Sequence, residues 1–412
     1  MDRLVIDDLE LKGKRVLTRV DFNVPIAGSK VTDDTRIQAA LPTIKKIIND
    51  GGRLILMSHL GRPKGQVKKE LSLQPVADHL AEVLGKKVQM APDCVGTEVE
   101  KRVTKLQDSE VLLLENTRFH KEETDNDVEF SKQLASLGEV FVNDAFGAVH
   151  RAHASTEGVA KHLPEAAAGY LLQAEVENLT RLLEAPEKPF VVILGGAKVS
   201  DKLKVIHNLV TKVNAIVVGG GMAYTFLKAR DVAIGESLLD EAHLAMAYNT
   251  LVVARYPHPH KKLELLLPKD HVIARSGQHS EFKVCSNVEI PDGWQGVDIG
   301  PKTIEAYQNL IQSAKTVFWN GPMGIFENDE FARGTIAVAN TVAAATDRGA
   351  FTVVGGGDSI AAIEKSGVKA KISHISTGGG ASLEFLAGID LPGILALTKA
   401  KKKPAPPADK TA

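Results

Sequence analysis

Residues 190–198 read Phe190-Val191-Val192-Ile193-Leu194-Gly195-Gly196-Ala197-Lys198, a continuous apolar run that stops at two glycines and a lysine. A half-buried strand would alternate in polarity; an unbroken run suits a strand covered on both faces, as inside a parallel sheet. Runs of the same kind recur at 15–20, 53–57, 111–114 and 140–142 in the first half of the chain. In the second half they recur at 215–218, 317–319, 351–354 and 372–375. Segments of helical period lie between them. The stretch 35–49 follows Asp33 and Asp34, carries Ile37, Leu41, Ile44 and Ile48, and stops at Gly51-Gly52. The stretch 72–84 opens on Ser72, carries Val76, Leu80 and Leu84, and stops at Gly85. This alternation predicts an α/β chain built on doubly wound parallel sheets, whose ligands gather beyond the carboxyl ends of the strands.

With 412 residues the chain exceeds the usual size of one hydrophobic core, so two domains are expected. An amphipathic helix at 169–185, marked by Leu171, Leu172, Val176, Leu179, Leu182 and Leu183 and followed by Pro186 and Pro189, is the natural connector. Composition is that of an ordinary globular protein, 44% hydrophobic and 25% charged. Lys plus Arg (50) nearly balances Asp plus Glu (51), so no global field draws the chain to nucleic acid or to a membrane. The two cysteines, Cys94 and Cys285, form no CxxC pair, which argues against a disulfide framework or a cysteine zinc motif. The N-terminal residues are too charged for a signal peptide, and the apolar stretch 215–227 is interrupted by three glycines. A cytoplasmic protein is expected. The tail from Lys401 lacks period and core-forming residues and is expected to be disordered.

The two halves end their strands differently. The first half supplies Asp21-Phe22-Asn23, Ser58-His59-Leu60-Gly61-Arg62, Glu115-Asn116-Thr117-Arg118 and Asn143-Asp144. Arg36, Arg62, Arg118 and Arg151, with His59, His150 and His153, follow strands or begin helices there. Converging guanidinium groups grip a multiply charged anion bidentately. The histidines have no carboxylate at metal-ligand spacing.

The second half supplies Gly195-Gly196-Ala197-Lys198, Gly219-Gly220-Gly221, Asn320-Gly321-Pro322, Gly355-Gly356-Gly357-Asp358 and Thr377-Gly378-Gly379-Gly380. Each glycine set is either a tight turn or a place where backbone N–H groups approach phosphate. Lys198 and Lys202 are spaced to share one face at the start of a helix, where a cation is disfavoured unless an anion is bound. Asp358 suits Mg²⁺ or a helix N-cap, and the two roles are compatible. A P-loop GxxxxGK[ST] is absent, and no GxGxxG follows the first strand of this half, which removes the motif expected of a dinucleotide oxidoreductase.

Read together, Arg19-Val20-Asp21-Phe22-Asn23-Val24-Pro25, Ser58-His59-Leu60-Gly61-Arg62-Pro63, Leu114-Glu115-Asn116-Thr117-Arg118-Phe119 and His150-Arg151-Ala152-His153 resemble the phosphoglycerate kinase family. Gly195-Gly196-Ala197-Lys198-Val199-Ser200, Trp319-Asn320-Gly321-Pro322, Phe326-Glu327, Gly355-Gly356-Gly357-Asp358-Ser359 and Ser376-Thr377-Gly378-Gly379-Gly380 continue the resemblance in the same order.

The resemblance implies two Rossmann-like domains joined by a hinge helix: 1–170 for 3-phosphoglycerate, 171–188 as the connecting helix, and 189–375 for the nucleotide. It also implies a segment 376–400 returning to the first domain; the disordered tail 401–412 is expected from composition alone. The implied reaction is 1,3-bisphosphoglycerate + ADP ⇌ 3-phosphoglycerate + ATP, with Mg²⁺, in glycolysis and gluconeogenesis, carried out by a monomer. The implied substrate contacts are Asp21, Phe22, Asn23, Arg36, His59, Leu60, Gly61, Arg62, Arg118 and Arg151. Nucleotide contacts would be Lys202, Asn320, Glu327, Gly356, Gly357, Asp358 and Ser359, with Asp358 on the metal. Arg36, Lys198, Gly378 and Gly379 would act on the phosphoryl group in transfer.

No general base is needed, because the acceptor is already ionised in either direction. A non-catalytic relative would be expected to lack Arg36, Lys198 or Asp358, and all three are present. Departures from the family pattern are Gly147-Ala148-Val149-His150, the segment 248–267 with Tyr256-Pro257-His258-Pro259-His260, and the proline-rich tail. The choice between adenine and guanine nucleotides stays open.

Overall fold

The structure is a computed structural model that describes residues 1–255 and 263–400. The Tyr256-Pro257-His258-Pro259-His260 stretch and the tail 401–412 lie outside the described residues. The chain forms two compact units. One comprises Met1–Val176 together with the segment from Leu391 onwards; the other is Glu177–Asp390.

The first unit holds a six-stranded, all-parallel sheet in the order Val88–Met90, Val111–Leu113, Arg53–Met57, Arg15–Arg19, Val140–Asn143, Ala166–Ala168. Strand residues Leu54, Ile55, Leu56 and Met57 are all fully buried, so both faces are covered and the run cannot alternate. Helix Thr35–Asn49 starts where Asp33 accepts the Thr35 N–H at 2.9 Å, and buries Ile37, Ala40, Leu41, Ile44 and Ile47. The helix expected from Ser72 begins at Gln74. Ser72 stays outside it, where its Oγ accepts the Gln74 N–H at 3.2 Å and donates to Glu115 at 2.6 Å.

The second unit carries a second six-stranded parallel sheet, in the order Glu264–Leu266, Ala215–Val218, Phe190–Leu194, Thr316–Asn320, Phe351–Gly355, His374–Ser376. Numbered along the chain this is 3-2-1-4-5-6, so strand order reverses between Phe190–Leu194 and Thr316–Asn320. An antiparallel sheet of Gln278–Cys285, His271–Arg275 and Trp294–Ile299 was not expected from the sequence. Its longest strand, Gln-His-Ser-Glu-Phe-Lys-Val-Cys, is polar for most of its length and so carries no continuous apolar run.

Helix Tyr170–Glu184 replaces the expected 169–185 and crosses from one unit into the other at Val176/Glu177. Asp144, at the end of strand Val140–Asn143, caps it by accepting the Leu171 and Leu172 N–H groups at 2.9 and 3.2 Å. Burial pushes the Asp144 carboxyl up to about 6. The unit boundaries differ from 1–170, 189–375 and 376–400. Strand His374–Ser376 completes the second sheet and helix Gly380–Leu386 packs on helix Ser200–Leu209, so residues 376–390 belong with the second unit. The first unit regains the chain only from Leu391, where Gly393 N–H donates to Val149 O at 2.9 Å and Thr398 bonds Leu4 and Ala166.

The strand-order reversal forces the loops after Phe190–Leu194 and Thr316–Asn320 into backbone contact. Gly195 N–H donates to Asn320 O and Gly196 N–H to Pro322 O, each at 2.9 Å. Gly321 has φ +97°, and a Cβ there would lie 2.2 Å from Gly195 O. Gly321→Ala is therefore expected to lower unfolding stability by roughly 2 kcal/mol or more in urea titration. An unchanged midpoint would contradict this packing.

Candidate active site

In the first unit the carboxyl ends of Arg15–Arg19 and Arg53–Met57 open onto a basic rim. Arg36 Nη1 donates to Asp21 Oδ1 at 3.1 Å and to Asn23 O at 3.0 Å. Asn23 Oδ1 accepts the Gly61 N–H at 2.9 Å, and Gly61 O accepts from Arg118 Nη1 at 2.9 Å. Five of the expected residues are thus tied together: Asp21, Arg36, Asn23, Gly61 and Arg118. Arg62 and Arg151 are exposed beside them. Phe22 and Leu60 are buried, and their backbone groups are bonded within the protein: Phe22 O accepts the Val24 N–H at 2.9 Å, Leu60 N–H donates to Asn116 Oδ1 at 3.2 Å, and Leu60 O accepts from Asn116 Nδ2 at 2.8 Å. Phe22 N–H is taken by Ser58 Oγ at 2.9 Å.

Beneath the rim sits Arg19, a residue not singled out as a candidate site residue. It is fully buried and donates through Nε to Ser155 Oγ at 2.7 Å, through Nη1 to Val20 O, and through Nη2 to His59 Nδ1 at 3.0 Å. Arginine can only donate, so His59 Nδ1 accepts and its proton resides on Nε2. Ser155 in turn binds the buried Glu123, with Oγ donating to Oε1 at 2.6 Å and N–H to Oε2 at 2.9 Å. The visible signal for Arg19 is a cation at the carboxyl end of a strand whose middle is apolar.

Burial, then the guanidiniums of Arg19, Arg118 and Arg36, holds His59 well below its ordinary value. Burial and the neighbouring Arg118 and Arg19 likewise bring His153 down to about 4. Arg118 falls to about 10, chiefly through burial and then Arg19 and Arg151, and its Nε is buried without a partner. Cations crowded this closely favour an anion among them.

In the second unit a cavity of about 760 Å³ lies beyond the strand ends. It is lined by Lys198, Lys202, Asn320, Gly356, Gly357, Asp358, Ser359 and Gly379, all expected site residues, and by Ser200 and Lys204. Three helices begin on it: Ser200–Leu209, Gly357–Ser366 and Gly380–Leu386. Their first-turn N–H groups have no intrahelical acceptor and carry the positive ends of the helix dipoles.

The glycine sets now separate by function. Gly195, Gly196 and Gly220 spend their N–H groups on Asn320, Pro322 and Met323 carbonyls, so they are packing glycines. Gly357 and Gly379 have open space where a Cβ would stand. Gly378 N–H is directed to Ser376 Oγ at 3.3 Å.

Lys198 and Lys202 do not share a helical face, because the helix starts at Ser200 with Val199 as its cap; Lys198 precedes it and Lys202 lies in its first turn. Both still line the cavity. Ser359 Oγ accepts the Gly321 N–H at 2.6 Å, and Asn320 Nδ2 donates to Gly355 O at 2.8 Å, so both side chains brace the cavity wall.

A second cavity of about 320 Å³ shares Gly196, Ala197 and Asp358 with the first. Tyr224, Leu238, Gly296, Val297, Met323 and Glu327 line it. Its apolar wall comes partly from strand Trp294–Ile299, which explains why the sequence reading found Glu327 but not Tyr224 or Gly296.

A pH effect follows from the histidines. His153 ionises near 6.5 when unfolded and near 4 when folded, so only the unfolded chain takes up its proton between these values. That contribution is neutral above about pH 6.5, destabilises progressively as pH falls through the window, and levels off below about 4. In urea titrations from pH 7 to 5, His153→Gln is expected to lose less stability than the parent. Equal losses would place an ordinary histidine here.

The family model for phosphoglycerate kinase matches residues 6–389. The phosphoglycerate kinase of Moorella thermoacetica is 57% identical over 97% of this chain and all of that protein. That of Chlorobium chlorochromatii is 55% identical over 96% of this chain and all of that protein. Among solved structures, phosphoglycerate kinase from Coxiella burnetii gives a TM-score of 0.85 at 41% identity, covering 96% of this chain and 98% of that one. The enzyme from Pyrococcus horikoshii gives 0.82 at 33% identity with the same coverage. Length and fold agree, and the chain belongs to the phosphoglycerate kinase family of kinases.

Proposed function

We propose that the chain catalyses the reversible transfer of a phosphoryl group between ATP and the carboxyl group of 3-phosphoglycerate, forming ADP and 1,3-bisphosphoglycerate. The observation that carries this reading is the 760 Å³ cavity on which three helix N-termini and three lysines converge, with Gly357 and Gly379 open where a Cβ would stand. Such a floor suits the phosphates of a nucleotide. The adjoining 320 Å³ cavity suits its base and ribose, with Glu327 at the sugar.

The basic rim of the first unit suits the acceptor: a phosphate and a carboxylate match the Arg36, Arg62, Arg118 and Arg151 guanidiniums and the Nε2–H of His59. Asp21 and Asn23 orient the glycerate hydroxyl, and Asp21 also fixes Arg36. The acceptor carboxylate is ionised at neutral pH, so these residues need only align the groups in line and offset charge as it shifts onto the leaving oxygen. Arg36, Lys198 and the N-terminus at Gly379 are the groups for that work, and Lys202 holds the nucleotide phosphates.

Asp358 is exposed in the first turn of helix Gly357–Ser366 and lines both cavities. A single hard carboxylate beside a phosphate site fits Mg²⁺, which binds through one or two carboxylates together with substrate phosphates and water. When bound, Mg²⁺ neutralises phosphate charge. A monomeric cytoplasmic enzyme of glycolysis and gluconeogenesis, with neither nucleic acid nor membrane as partner, is part of the proposal. Among the described residues no helix is long and apolar enough to cross a membrane.

The test is ATP consumption with 3-phosphoglycerate and Mg²⁺, coupled to glyceraldehyde-3-phosphate dehydrogenase and followed as NADH loss. Loss that requires all three components supports the reaction, and loss independent of 3-phosphoglycerate contradicts it. Arg36→Ala is expected to reduce turnover by roughly 10³–10⁵. Near-normal turnover would remove Arg36 from the transfer step. Asp358→Ala should weaken Mg-nucleotide binding far more than 3-phosphoglycerate binding in calorimetry; equal losses would argue against a local metal role.

A further inference from the structure

Far along the chain from Asp358, the first unit gathers a mixed set of metal-ligating side chains that the phosphoryl-transfer chemistry does not use. Asp93, Cys94 and His120 each present one ligand atom, and the three lie within 4.8 Å of one another. Asp93 and Cys94 follow strand Val88–Met90, and His120 opens helix Lys121–Asp125. We infer that Asp93, Cys94 and His120 form a binding site for a thiophilic divalent cation of the Zn²⁺ class.

The donor set decides the class of ion. One thiolate, one imidazole and one carboxylate suit Zn²⁺ or Co²⁺, whereas Mg²⁺ requires oxygen ligands in a near-ideal octahedron. Three protein ligands leave a fourth position of the tetrahedron for water.

Access and orientation agree with this. Cys94 is fully buried and forms the floor, while the His120 and Asp93 side chains are 29% and 45% exposed and face the solvent from which an ion would enter. His120 Nε2 and Asp93 Oδ1 lie 2.7 Å apart, already converged on one point, and Asp93 Oδ1 is oriented by the Cys94 N–H at 2.7 Å. On binding, the Cys94 thiol releases its proton to solvent as the metal–sulfur bond forms. The metal replaces the proton on His120 Nε2, which passes to solvent while the ring carries its N–H on Nδ1, and a metal–oxygen bond to Asp93 replaces the present hydrogen bond.

Sequence spacing hides the site. No CxxC or HxxxH pattern exists, and Asp93 and His120 are 27 positions apart.

The full-length protein, stripped with a chelator and returned to Mg²⁺ buffer, is titrated with Co²⁺ and separately with Zn²⁺. The expected result is one equivalent bound, with a near-ultraviolet thiolate-to-Co²⁺ charge-transfer band that survives Cys285→Ser. His120→Gln, on the exposed side and therefore the safer variant for folding, should lose the band. Cys94→Ala should lose it too, with affinity falling by more than the roughly 10–100-fold that an outer-shell partner costs. Zn²⁺ should raise the Tm of the parent but not of His120→Gln. A Co²⁺ spectrum without the thiolate band, or one unchanged in both His120→Gln and Cys94→Ala, overturns the site and leaves an ion pair over a core cysteine.

Discussion

The reversal of strand order between Phe190–Leu194 and Thr316–Asn320 is the constraint on which the second unit depends. At that point neighbouring strand ends send their chains to opposite faces of the sheet, and the two loops must pass in backbone contact. Gly195, Gly220 and Gly321 permit this: a Cβ at any of them would lie within 2.5 Å of a neighbouring loop's backbone. The Gly195, Gly196 and Gly220 N–H groups then bond carbonyls across the crossing. A closed crossing sets the cavity floor, and the helices that start around it aim their N-termini at one volume. On the functional reading proposed here, the phosphates therefore rest on positions such as Gly357 and Gly379 rather than on every glycine in the region.

The first unit solves the opposite problem, holding positive charge in place before a ligand neutralises it. Arg19 is fully buried, which is costly for a lone cation, and the structure offsets it with Glu123 acting through Ser155. All three groups of the Arg19 guanidinium are committed, one of them to His59 Nδ1, so that ring is fixed in tautomer and orientation. Burial and the surrounding guanidiniums keep His59 neutral, so its ring adds no charge to the crowded rim. Asp21 and Asn23 likewise hold Arg36 in position before an acceptor arrives.

Much of this was legible in the sequence, for definable reasons. Strands buried on both faces leave continuous apolar runs, so most of both parallel sheets could be read, as could the residues at their carboxyl ends. Short strands such as Val88–Met90 and Ala166–Ala168 carry too few residues for that signal, and the polar Gln278–Cys285 strand carries the wrong one. Glycine was ambiguous because a missing Cβ serves close packing at Gly195 and open approach at Gly357 equally well, and only the neighbours distinguish them. Arg19 belongs to the stretch Arg19–Pro25, yet nothing in its spacing shows that it is buried. The Lys198 and Lys202 pair was read as one helical face because the capping residue, Val199, has no capping side chain to mark the true start. Asp93 and His120 meet only through the tertiary fold.

The most direct test of the account is a calorimetric titration of Mg-ADP into Gly357→Val. This residue has no neighbour within 4 Å of a Cβ, so a side chain there begins in open space of the free protein, where the proposed phosphate would lie. The account predicts affinity lower by roughly tenfold or more, about 1.4 kcal/mol, with an essentially unchanged unfolding midpoint. Undiminished affinity in a folded variant would place the phosphates elsewhere and contradict it.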